Sequence, residues 1–232
     1  MPPGGRARRR ERSRPPEAVL FDMDGTLIDS EPLWFAAEGA ILAEYGFELG
    51  PEHLAHVLGK PNEVAVGHLL AVSGVPLTAA GLNARIEAAM AETLARGVEL
   101  IAGAKELLTE LADAGVPVAL VSASSRRIIE ACLGSLGGDR FHVTVSGDDV
   151  ERGKPHPEPY LRAAALLGAD PARCAVIEDS PTGVRSGAAA GCRVVAVPQA
   201  LPVDPHPLVT VVTSLTGISL GFLGALFEPS LG

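Results

Sequence analysis

Three aspartates follow directly on an apolar run in Val19-Leu20-Phe21-Asp22-Met23-Asp24-Gly25-Thr26-Leu27-Ile28-Asp29. Carboxylates crowded at the end of a buried element repel one another and lose hydration, so they need a compensating charge. Three further stretches carry groups that could bind an anion or a cation. Val118-Ala119-Leu120-Val121 runs into Ser122-Ala123-Ser124. Gly153-Lys154-Pro155 holds one of the chain's three lysines, and Cys174-Ala175-Val176-Ile177 runs into Glu178-Asp179-Ser180-Pro181. Singly, each is an ordinary turn, helix cap or loop lysine. As a set, several carboxylates, an ammonium and a hydroxyl suit a hard divalent cation with oxygen ligands, Mg²⁺ fitting best. The same set suits a substrate with several anionic oxygens, for which phosphate is the natural candidate.

A parallel sheet would bring these stretches together, because all its strand ends gather at one edge. Apolar runs at Ala18–Asp22, Val118–Ser122, Phe141–Val145, Cys174–Glu178 and Arg193–Val197 read as buried strands. Helical patterns at Ala104–Ala114, Ser125–Leu136 and Glu158–Leu167 lie between them, and another starts at Ser180-Pro181 and stops at Gly191. The expected fold is therefore α/β, a Rossmann-like parallel sheet with helices on both faces. From about Pro32 to Leu100 no strand candidate occurs. Helical patterns at Trp34–Tyr45, Pro51–Leu58, Glu63–Val72 and Leu82–Ala95 predict an all-helical insert over residues 32–99. The core then comprises residues 17–31 and 100–232, preceded by a disordered Arg/Pro-rich tail over residues 1–16.

The formal charge is −9, and residues 1–16 hold six of the 19 basic residues, leaving thirteen basic against 27 acidic residues for the rest. An acidic body is a poor nucleic-acid surface. Cys132, Cys174 and Cys192 form no CxxC pair, which fits reduced thiols in a cytoplasmic protein. His53 with His56 reads as a solvated helix face rather than a ligand pair. The uncharged stretch 208–227 is diluted by Ser, Thr and Gly, so a last strand, a turn and a short packed helix are expected there, with no membrane partner.

With these residues in place, the chain resembles the haloacid dehalogenase superfamily, in its capped-phosphatase and β-phosphoglucomutase-like branch. The match is carried by FDMDGTLIDSE at 21–31, VSAS at 121–124, GKPHPEPY at 153–160 and VIEDSPTGV at 176–184, in order and strand context, and it covers essentially everything from Ala18 onward. The resemblance implies a helical cap over the site and a nucleophilic Asp22 that forms an aspartyl-phosphate. It implies Asp24 as general acid and base, and Ser122, the Ala123 amide and Lys154 as groups holding the phosphoryl oxygens. Mg²⁺ would be bound by Asp22, the Asp24 carbonyl and Asp179, with Glu178 either a further ligand or a partner behind the ligands.

The resemblance further implies a Mg²⁺-dependent phosphatase, expected as a monomer, acting on a small phosphorylated metabolite such as a sugar or polyol phosphate. Lys60 in the Gly59-Lys60-Pro61 turn is the favoured cap contact to substrate. Two other readings share the motifs: a hexose-phosphate mutase and a silent binding protein on the same fold. The chain departs from the mutases where Trp34 replaces their hinge histidine and where Lys60 or Asn62 stands near their cap arginine. Both departures favour hydrolysis. Asp24 disfavours a halide-releasing hydrolase, which needs no acid there.

Overall fold

The computed structural model describes residues 14–57, 62–198 and 201–228. Most of the basic tail and the Gly59-Lys60-Pro61 turn, including Lys60, lie outside the described residues. In chain order the elements are β1 (Ala18–Phe21), α1 (Glu31–Ala43), α2 (Leu54–Val57), α3 (Asn62–Ser73), α4 (Ala79–Ala95), α5 (Ala104–Asp113), β2 (Val118–Val121), α6 (Arg126–Leu136), β3 (Val143–Val145), α7 (Glu158–Leu167), β4 (Cys174–Glu178), α8 (Pro181–Ala189), β5 (Arg193–Ala196), β6 (Val209–Val211) and α9 (Leu220–Ala225). The sheet order is β3-β2-β1-β4-β5-β6, and every neighbouring pair is parallel. Moving outward from β1, successive strands are added first on one side and then on the other. The crevice at this switch, between the ends of β1 and β4, is where open α/β sheets place ligands.

Alternation along each strand explains the unbroken apolar runs. Val19, Phe21, Val118, Leu120, Ala175 and Ile177 face one helical layer, against residues of α5 and α6 such as Leu107, Leu111, Ile128 and Ile129. Ala18, Leu20, Ala119, Val121, Cys174 and Val176 face the other layer, against Tyr160, Ala163 and Val184 of α7 and α8. A strand covered on both faces has no solvated side, so every position is apolar. The three cysteines are buried and free.

The helical insert has its own apolar cluster, including Ala37, Ile41, Leu42, Val66, Leu69, Leu82 and Ile86, while Trp34 packs against both this cluster and the sheet-side core. Its neck is paired. Ile28 bridges Leu100 in antiparallel fashion, and the Ile101 amide donates to the Leu27 carbonyl at 2.9 Å.

Several boundaries differ from the sequence reading for local reasons. The first helix begins at Glu31 rather than Trp34, because Pro32 is at home in a first turn where no amide donor is required. The stretch from Pro51 is a 3₁₀ turn to His53 before α2. The third strand starts at Val143 instead of Phe141. His53 is not on a solvated face: it is half-buried, with Nδ1 3.1 Å from Nε2 of His68, whereas His56 is exposed and stacks on His68. The 208–227 stretch folds as β6 and the six-residue α9. Among the described residues, no helix is long and apolar enough to cross a membrane.

One polar residue sits inside the insert's core. Glu38 is 7% exposed, and its Oε2 has no hydrogen-bond partner among the described residues. Burial pushes its carboxyl up to about 7. Its unfolded-state value is lower, so the cost of holding it in the fold grows as pH rises from about 4.5 to about 7 and stays constant above that. Glu38→Met, which keeps helix propensity and volume, is expected to be more stable than the parent at pH 8 by on the order of 2 kcal/mol, with the gain shrinking toward pH 5. Thermal unfolding at both pH values checks this; an equal gain at both would remove ionisation as the cause.

Candidate active site

Four loops meet at the carboxyl ends of the strands. The ladder extends one residue past two strands: the Asp22 amide donates to the Ile177 carbonyl and the Ser122 amide to the Val145 carbonyl, both at 3.0 Å. Each side chain is thereby launched from a backbone that the sheet already holds. Beyond Asp22, the chain turns sharply through Gly25, at φ +80°, where the Gly25 amide donates to the Ile28 carbonyl at 2.8 Å. A Cβ at Gly25 would overlap the Asp179 carboxylate, so both conformation and space require glycine there.

Lys154 is the centre of the cluster. Its side chain is 5% exposed, and its Nζ donates to Asp22 Oδ1 at 2.6 Å, Glu178 Oε1 at 2.7 Å and the Val121 carbonyl at 2.9 Å. Burial opposes the ammonium charge, but the Asp22 and Glu178 carboxylates outweigh it and hold the Lys154 pKa above its ordinary value. Glu178 is 0% exposed. Its Oε1 also accepts from the Tyr160 hydroxyl at 3.0 Å, and its Oε2 accepts from the Ser180 amide at 2.9 Å and hydroxyl at 3.0 Å. Each of its oxygens thus already takes two hydrogen bonds.

Asp22 is different. Its Oδ1 takes Lys154, but among the described residues its buried Oδ2 has no partner. Burial raises its pKa well above the carboxylate range; Lys154 pulls it down, while Glu178, Asp179 and Asp24 push it up. Asp179 is raised to about 7, by burial and then by Glu178, against the pull of Lys154. Oxygens of Asp22, Glu178 and Asp179 lie within 4.8 Å of one another. A carboxylate oxygen buried without a partner, beside two more carboxylates, is a donor set that suits a hard cation.

Asp24 faces hydroxyls. Its Oδ1 accepts from Ser30 at 2.6 Å, and its Oδ2 accepts from Ser122 at 3.2 Å and Ser124 at 2.8 Å. The structure therefore gathers Asp22, Asp24, Ser122, Lys154, Glu178 and Asp179 in one place, with Ala123 exposed on the loop after β2. Asp29 is exposed and outside the cluster. The sequence reading missed Ser30 and Ser124, although both stand in the stretches it singled out. It also missed Tyr160 as a site residue, although this residue closes the GKPHPEPY stretch at 153–160.

Gly183 in α8 shows how closely the helix approaches this site: a Cβ there would overlap the Glu178 carboxylate. Alanine in a helix interior normally gains about 1 kcal/mol over glycine. Gly183→Ala is nevertheless expected to lower the melting temperature, because Glu178 is pinned by four hydrogen bonds and cannot yield cheaply. Gly134→Ala on α6, where nothing lies within 4 Å of the added carbon, serves as the control and is expected to raise it. Parallel thermal melts decide; stabilisation by both changes would contradict the close approach.

The chain is similar to known proteins over most of its length. Residues 19–197 match the haloacid dehalogenase-like hydrolase family. Hexitol phosphatase A of Escherichia coli (strain K12) is 40% identical over 182 residues, which cover 78% of this chain and 82% of that protein. The phosphoglycolate phosphatase of Pectobacterium atrosepticum is 35% identical over 180 residues, covering 75% and 77%. A crystal structure of a CbbY mutant from Rhodobacter sphaeroides in complex with xylulose-(1,5)bisphosphate has a TM-score of 0.75 at 25% identity, covering 87% of this chain and 96% of that one. With the family match covering residues 19–197 and a relative 40% identical over 82% of its own length, the chain belongs to the haloacid dehalogenase-like hydrolases.

Proposed function

We propose that this protein is a Mg²⁺-dependent phosphatase that hydrolyses a small phosphorylated metabolite, a sugar or polyol phosphate, through an aspartyl-phosphate on Asp22. The observation that carries this reading is the unpartnered, buried Oδ2 of Asp22, with Lys154 fixed on the neighbouring oxygen of the same carboxylate. The relatives' names support the substrate class, and they span a neutral hexitol, a carboxylated glycolate and a bisphosphate.

Asp22, Asp179 and the backbone carbonyl of Asp24 are the groups that would hold Mg²⁺. Glu178 serves better as the anchor of Lys154, since its oxygens are already occupied. When bound, Mg²⁺ supplies positive charge beside the phosphoryl oxygens. The chain's own residues do the rest. Asp22 attacks phosphorus, forming a new P–O bond as the bond to the leaving oxygen breaks, and Asp24 gives that oxygen its proton. A water then attacks the aspartyl-phosphate, Asp24 takes its proton, and phosphate and free Asp22 are regenerated. The Ser122 hydroxyl and the Ala123 amide hold the phosphoryl oxygens, and the nearby Lys154 ammonium supplies positive charge as negative charge shifts onto them. The Ser122 hydroxyl also donates to Asp24, so a group that would hold a phosphoryl oxygen stands directly beside the acid. Ser30, at the foot of α1, holds the other oxygen of Asp24 and links the acid to the insert, which acts as the cap.

Phosphate release from a panel of hexose, hexitol and glycolate phosphates tests the reading. Expected is release that requires Mg²⁺, stops in EDTA, and falls by at least about 10³-fold in Asp22→Asn, since the covalent step is lost. Unchanged activity in Asp22→Asn would overturn the nucleophile. Interconversion of glucose 1- and 6-phosphates faster than phosphate release would replace hydrolysis with a mutase.

A further inference from the structure

Resting on the phosphatase reading above, we propose that Glu87 of α4 is a charge filter at the mouth of the site. It accepts hydroxyls of a neutral, polyhydroxylated leaving group and rejects leaving groups that carry a second phosphate or a carboxylate. The basis is a chain of polar contacts from the insert to the core. Asn62, at the start of α3, donates from Nδ2 to Asn83 Oδ1 at 2.7 Å. Asn83 donates from its own Nδ2 to Glu87 Oε1 at 3.2 Å. The Ser125 hydroxyl of the core donates to Glu87 Oε2 at 3.5 Å.

The direction of this chain is dictated by chemistry. An ionised carboxylate only accepts, so Asn83 must turn its amide nitrogen to Glu87, which leaves its carbonyl to accept from Asn62. Ser125 follows Ser124, whose hydroxyl holds Asp24 at 2.8 Å. Asp24 serves the leaving oxygen in the reading above, and consecutive serines thus tie Asp24 and Glu87 to the same loop after β2. Two amides and a carboxylate are matched to hydroxyls, each of which can donate and accept. The same carboxylate repels any further negative charge brought to that position.

Among the described residues, the cations closest in the chain to these contacts are either bound elsewhere or, like Arg127 two residues after Ser125, exposed to solvent. Among the described residues, no Lys, Arg or His forms an ion pair with Glu87. Arg85 is bound to Glu44 and Tyr45, Arg96 donates to the Glu92 carbonyl, and Arg126 is held by Asp149 and Thr144.

The test compares kcat/KM for a hexitol 6-phosphate, phosphoglycolate and a hexose 1,6-bisphosphate in the full chain with Mg²⁺. The parent is expected to favour the hexitol phosphate by at least about a hundredfold. Glu87→Gln, which keeps an acceptor and removes the charge, is expected to move the substrates in opposite directions. The hexitol phosphate should fall by roughly three- to tenfold, and the two anionic substrates should rise by about tenfold, mainly through KM. Raising ionic strength should relax the parent's discrimination and leave that of Glu87→Gln unchanged. Asn83→Ala should weaken the hexitol phosphate without admitting the anionic substrates. A uniform fall for all three substrates in Glu87→Gln would reduce Glu87 to a latch between insert and core and overturn the filter. So would a parent that turns over phosphoglycolate as well as the hexitol phosphate. Release of phosphate from none of the three would overturn the phosphatase reading and the filter with it, an outcome distinct from active enzyme without discrimination.

Discussion

Everything about this site depends on one buried ammonium held between two buried carboxylates. Lys154 joins Asp22 to Glu178 at 2.6 and 2.7 Å. Such a cluster is expensive to desolvate, and it survives only when every remaining lone pair finds a partner or a cation. Glu178 meets that condition within the protein, through Tyr160 and Ser180. Asp22 meets it on one oxygen only. The asymmetry separates a carboxylate whose oxygens are both engaged from one with an oxygen left over, although both are acidic residues at the end of an apolar strand.

The fold supplies the rigidity that this cluster needs. Asp22 and Ser122 leave strands whose hydrogen-bond ladders continue through their own amides, and Lys154 is tied to the Val121 carbonyl at the end of β2. Close approach does the rest. Glycine at 25 and 183 lets the turn and α8 come within contact distance of Asp179 and Glu178, where any side chain would collide. The polar site is thereby enclosed without loops that would leave backbone groups unsatisfied. Asp24 is held differently, by three hydroxyls from the insert's foot and the loop after β2. Hydroxyls can exchange partners at little cost, which suits the proton-transfer role proposed for Asp24.

Much of this architecture is legible in the amino-acid sequence. Apolar runs without alternation mark strands covered on both faces, and the four polar stretches at their ends stand out because carboxylates and a lysine are costly there. Element bounds are less legible where local chemistry competes with periodicity, as at Pro32, which draws α1 back to Glu31, and at Pro51–His53, which tightens into a 3₁₀ turn. His53 is misread from sequence because its partner His68 is fifteen residues away on another helix.

What the sequence determined by itself is the parallel α/β core, the helical insert after the first strand and the list of groups that gather at the strand ends. These come from apolar periodicity and from short motifs, which are local. Tertiary structure alone decided the pairings: Lys154 with Asp22 across 132 residues, Ser124 with Asp24 across 100, Tyr160 with Glu178, and Glu87 with Ser125. The physical reason is that a residue's type states what it can bind, while the partner it takes depends on distance and burial, which are set only when helices and strands from distant parts of the chain pack together.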